Sequence, residues 1–133
     1  LKKDWVDYQK RPRKEFLSPT TKATEAARYL SKWIENVQRV GNANFPEQIR
    51  EQQLVGIVIV SVEIAENGTL SKIVLDRPSR HRILNDYTKR LLREASPFDP
   101  FPDEEYFENI NVLVITRSFE FDSQQGFSNN AMQ

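Results

Sequence analysis

The chain has 133 residues, 38% hydrophobic and 29% charged, which suits one small globular domain with a single core. Its 19 basic residues balance 19 acidic ones, which argues against a dedicated nucleic-acid binder. The absence of cysteine removes thiol catalysis, thiolate metal sites and disulfides together.

Residues 1–17 form a basic arm carrying Lys2, Lys3, Lys10, Arg11, Arg13 and Lys14, with Trp5 and Phe16 as its apolar anchors. It has no clear period and is expected to be an extended linker end. The chain starts at Leu1 with no signal-peptide pattern, so it reads as an excerpt with its targeting segment upstream. Ser18 and Pro19 suit a helix start, and Ala26, Leu30, Trp33, Ile34 and Val37 then fall on one helical stripe that Gly41 is expected to end. Asn42, Ala43, Asn44, Phe45 and Pro46 follow as a polar turn, and residues 47–53 as a short polar helix.

Over residues 55–65 the pattern changes to period two, with Val58, Val60, Val62 and Ile64 on one face. The longest apolar stretch, 54–62, lies here; it is too short to span a membrane as a helix, which needs about 20 residues. Asn67-Gly68 suits a tight hairpin turn, and residues 70–76 form the return strand. A helix over 82–95 presents Leu84, Tyr87, Leu91 and Ala95 at helical spacing, and Pro97 stops it. A proline-aromatic run, 96–102, and an acidic loop lead to a last strand, 110–121. In that strand Leu113, Ile115, Phe119 and Phe121 share the core face and Val114, Thr116, Ser118 and Glu120 the other. The tail, 123–133, is polar and expected to fray.

The expected fold is therefore α+β: a three-stranded antiparallel sheet with two helices packed on one face, formed by residues 18–122. The strand at 55–65 takes the middle and the last strand an edge. An open edge carries unpaired N–H and C=O groups that a further strand can satisfy, and 110–115 has no lysine or proline to block it. The competing expectation is that the same edge is covered by the chain itself or by a second copy.

Trp33, the run from Gly41 to Pro46, Leu54-Val55-Gly56, Asn67-Gly68, Ser96 to Pro102 and Ile115-Thr116-Arg117-Ser118-Phe119-Glu120-Phe121 together resemble TonB C-terminal domains. The resemblance spans 11–121 and rests on the order and spacing of these pieces. It implies a periplasmic domain with an inner-membrane anchor upstream and ExbB and ExbD as that anchor's partners. It further implies binding of the TonB box of outer-membrane transporters, with force transmitted for active uptake of siderophores, cobalamin or similar nutrients. The box would pair with the last strand, giving Ile110, Val112, Val114, Thr116, Arg117 and Ser118 as contacts. Residues 42–46 would flank it, with Phe45 in place of the more familiar tyrosine. The amides of Asn42 and Asn44 both donate and accept, as contact with an extended backbone requires; a purely structural turn competes with this. A TolA-like domain would share the architecture, but the runs at 42–46 and 96–102 favour TonB. A homodimer through the same edge is the structural rival.

Arg77, Arg80, His81 and Arg82 cluster near a helix N-terminus, where the dipole disfavours cations. The acidic loop, Asp103, Glu104, Glu105 and Glu108, or an anionic surface such as a transporter or peptidoglycan, would compensate them; a solvated cluster is the favoured reading. No catalytic site, cofactor or metal set is expected. The single histidine, His81, lies in a basic loop without an orienting carboxylate, and no His/Asp/Glu spacing suits a metal.

Overall fold

The computed structural model describes residues 13–17 and 23–130. In chain order these form β1 (Lys14–Leu17), α1 (Thr24–Ala43), α2 (Glu47–Glu51), β2 (Gly56–Ala65), β3 (Leu70–Arg77), α3 (Arg82–Ala95), a 3-10 turn (Glu105–Phe107), β4 (Val112–Asp122) and β5 (Gly126–Asn130). No described helix is long and apolar enough to cross a membrane.

α1 buries Ala26, Tyr29, Leu30, Trp33, Val37 and Gly41, one stripe at three- and four-residue spacing. It runs through Gly41 to Ala43 instead of ending at the glycine, and the expected start at Ser18 and Pro19 lies outside the described residues. What stops it is the turn behind: Asn44 leaves the helical region at φ −127°, and Pro46 disfavours helix at Phe45 while opening α2. α3 buries Leu84, Tyr87, Thr88, Leu91, Leu92 and Ala95. Both stripes meet the sheet face formed by Val58, Val60, Val62 and Ile64 of β2 and Leu113, Ile115, Phe119 and Phe121 of β4, all buried in one core.

β2 and β3 form the hairpin foreseen from Asn67-Gly68, and β2 pairs with β4 over its whole length, from Gly56↔Phe121 to Ala65↔Val112. Gly68 is required at the turn: its φ is +89°, and a Cβ there would lie 2.0 Å from the carbonyl oxygen of Phe98. The proline-aromatic run is pinned to this turn by Phe98 N–H donating to the Gly68 carbonyl and Phe101 N–H to that of Glu66, both at 2.9 Å. The Tyr29 hydroxyl donates to the Asp99 carbonyl at 2.8 Å, tying α1 to the same run.

The sheet departs from the three-stranded antiparallel expectation. It has five strands and is mixed, in the order β1-β4-β2-β3, with β5 also on β4. β1 pairs parallel with β4, Lys14↔Val112 to Leu17↔Ile115, and β5 pairs antiparallel with it, Ser118↔Asn130 to Asp122↔Gly126. The last long strand is therefore not an open edge. Two short segments, one from the basic arm and one from the tail expected to fray, divide its free side between them. Neither is long enough to show a period, and each gains its stability from the strand it joins. The side of β3 away from β2 is the long free edge among the described strands, and it is blunted by Lys72, Asp76 and Arg77.

Candidate functional site

The covered edge of β4 has two halves with different chemistry. In the first half, β1 is held at both ends of its four residues. Arg13 accepts at its carbonyl from the amides of Asn111 and Val112 and donates its own N–H to Asn111 Oδ1 at 2.9 Å. Lys14 meets Glu63 at 3.3 Å, an exposed pair worth little. Leu17 enters the core at 3% exposure, while Phe16 points outward at 67%. One buried side chain thus anchors the whole strand.

In the second half, β5 is locked by side chains from two elements, α1 and β4. Asn42, at the end of α1, donates from Nδ2 to the Phe127 carbonyl and accepts at Oδ1 from the Phe127 N–H, each at 3.0 Å. The Phe127 ring packs on Phe119 and Phe121, with centroids 4.9 and 5.4 Å away. On its other side is Gly41, where a Cβ would lie 2.5 Å from the ring, so only glycine lets α1 approach this closely. The Asp122 carboxylate closes the β4–β5 turn by accepting from the amides of Gln124 (2.7 Å) and Gln125 (3.0 Å). These bonds hold it below the usual aspartate range.

The anticipated contacts are distributed unevenly over this edge. Ile110 is buried just before β4. Val112 and Val114 face β1, and Ser118 faces β5. Thr116 sits between the two covers, on the outer face, with its hydroxyl 2.6 Å from that of Ser61. Arg117 differs most from expectation: it belongs to the inner face, opposite Val60, is only 7% exposed, and bonds Asn129 twice. The alternation of 113, 115, 119 and 121 already assigns position 117 to this face, and the buried Asn129 makes a charged side chain tenable there.

In the 42–46 segment, Asn42 does read an extended backbone, but that of β5. The Asn44 carbonyl accepts from the Tyr87 hydroxyl at 3.5 Å, and Phe45 packs edge-on to Tyr87 with the Arg50 guanidinium 4.8 Å over its ring. Ala43 ends α1 and Pro46 precedes α2. The segment lies by Phe121, nine residues from Val112 along β4, about 30 Å of extended chain from the β1 end. It therefore flanks the β5 half and is remote from the β1 half.

The basic cluster is not met by the acidic loop. Arg82 pairs with Asp86 on its own helix at 3.6 Å, and Glu104 pairs with Arg28 of α1 at 3.3 Å. Both are exposed pairs. Among the described residues no group of three or more His, Cys, Asp or Glu side chains is placed to hold a metal.

Residues 41–122 match the family model for the Gram-negative bacterial TonB protein C-terminal. The chain belongs to the TonB C-terminal family. The matched region runs from the close-approach glycine of α1 to the last residue of β4, and so contains both the 42–46 turn and the whole of β4. TonB C-terminal domains are periplasmic, non-catalytic interaction domains of energy transduction that engage outer-membrane transporters. No curated protein and no solved structure matches the chain.

Proposed function

We propose that this domain binds the TonB box of an outer-membrane transporter as an added strand on β4, in the place of β1, and transmits force to it for active uptake. The force would come from an inner-membrane anchor upstream, with ExbB and ExbD as that anchor's partners. The observation that carries this reading is that β4 already accepts a short parallel strand at Val112 to Ile115 through backbone pairing and a single buried side chain, Leu17. Such a cover is exchangeable: main-chain hydrogen bonds worth about 0.5–1.5 kcal/mol each are lost to one strand and regained from another. β5, with Phe127 buried and Asn42 bonded to its backbone, stays in place. Residues 42–46 then hold β5, and the peptide contacts fall on Val112, Val114 and Thr116.

The test is a titration of the isotopically labelled chain with N-terminal transporter peptides, read at each backbone amide. The expected outcome is movement of the Val112–Thr116 amides and loss of the β1 pairing, with β5 unchanged. Leu17→Ala removes the anchor of the internal competitor and is expected to tighten peptide binding. Shifts confined to β3 would transfer the site to the opposite edge, and a concentration-dependent dimer unaffected by saturating peptide would favour a second copy as the occupant.

A further inference from the structure

Between the end of β1 and the end of β5 the inner face of the sheet holds a polar pair to which no described residue brings a counter-charge. Arg117 is 7% exposed and Asn129 4%. The guanidinium donates from Nε to Asn129 Oδ1 at 3.0 Å and from Nη2 to the Asn129 carbonyl at 3.1 Å. Among the described residues no carboxylate lies within ion-pair distance of it. Asn129 Nδ2 is buried without a hydrogen-bond partner. Its orientation is fixed, because turning the amide over would set its N–H group against the Arg117 Nε–H. The result is a buried cation beside a free buried donor. A buried charge normally requires a hydrogen-bonded partner of opposite sign, and an unpaired buried amide donor carries its full desolvation penalty. Desolvation accordingly lowers the Arg117 pKa.

The register says where a counter-charge would enter. β1 pairs in parallel, with Leu17 opposite Ile115 and both on the inner face. A strand in β1's place that continued two residues further would bring its next inward side chain opposite Arg117. The last described residue of β5, Asn130, stands opposite Ser118, one position short of Arg117.

We propose that Arg117 and Asn129 form a receptor for a carboxylate side chain on the partner's extended segment, two residues beyond the apolar side chain that replaces Leu17. The inference rests on the strand-addition reading above and adds the partner's chemistry: an apolar residue, one arbitrary residue, then Asp or Glu, in a strand parallel to β4. A planar guanidinium receives a carboxylate with paired N–H donors, and the free Asn129 amide supplies a further one.

The native chain is titrated with nine-residue threonine-valine peptides holding one fixed leucine, with a single glutamate scanned along the sequence and a glutamine counterpart for each. Affinity is read by fluorescence anisotropy and the site by backbone amide shifts. The expected result is that the peptide with glutamate two residues after leucine binds about 10-fold or more tightly than its glutamine twin. In Arg117→Met that ratio falls to about one. Equal binding of every glutamate and glutamine pair, with the Val112–Thr116 amides still shifting, would overturn the carboxylate receptor and leave strand addition standing. Preference at that position surviving in Arg117→Met would also overturn it. Absence of β4 shifts with every peptide would remove both.

Discussion

The side-chain amide of Asn42 holds the backbone of Phe127 at both its N–H and its C=O, at 3.0 Å each, in the manner of a neighbouring strand. One residue at a helix end thereby completes the pairing that β4 gives β5 on its other side. Asn42→Ala removes both bonds and is expected to lower stability by about 1–2 kcal/mol. Denaturant midpoints give the loss, and hydrogen exchange should locate it at the β5 amides, with those of β2 and β3 retaining their protection.

Gly41 and Phe127 are coupled by contact. In Gly41→Ala the new methyl would lie 2.5 Å from a ring carbon that Phe119 and Phe121 keep from retreating. The helix gains about 1 kcal/mol from alanine, and overpacking costs about 1–3, so the net effect is destabilising. With Phe127→Ala as background the ring is gone and the same substitution should become neutral or stabilising by up to about 1 kcal/mol. A double-mutant cycle measures this reversal of sign.

Asp122 makes the β4–β5 turn sensitive to acid. Its folded pKa lies below the ordinary aspartate value of 3.8 because the Gln124 and Gln125 amides bond the ionised form. Its contribution is therefore present above that value and lost as pH falls through the lower, folded one. Thermal unfolding followed across this acid range should show a slope that Asp122→Asn flattens.

Tyr87 acts at the other end of the scale. Burial, reinforced by Glu94 and opposed by Arg90, raises its pKa from 10.0 to about 12, and its hydroxyl donates to the Gly41 carbonyl at 2.7 Å. The folded state holds this proton more tightly, so the contribution is complete below 10.0 and is lost as pH rises towards about 12. Ultraviolet titration should show a late ionisation that Tyr87→Phe removes, leaving the still later one of Tyr29, which burial raises further. The variant is expected to lose about 1 kcal/mol at neutral pH through the missing hydrogen bond.

The sequence alone determined the elements whose patterns repeat. The stripes of α1 and α3, the alternation of β2 and the Asn67-Gly68 hairpin each carry enough periods for burial to be read from spacing. Family membership was equally legible, because the motifs at 41–46, 96–102 and 115–121 keep their order along the chain. The tertiary structure alone decided who occupies the free side of β4. β1 has four residues and β5 five, too few to show a period, and their pairing energy comes from a strand about 100 residues away or across a turn. The same nonlocal contacts turned Asn42 towards β5 and buried the Arg117 guanidinium against Asn129. A side chain's surroundings there are set by neighbours that local spacing does not encode.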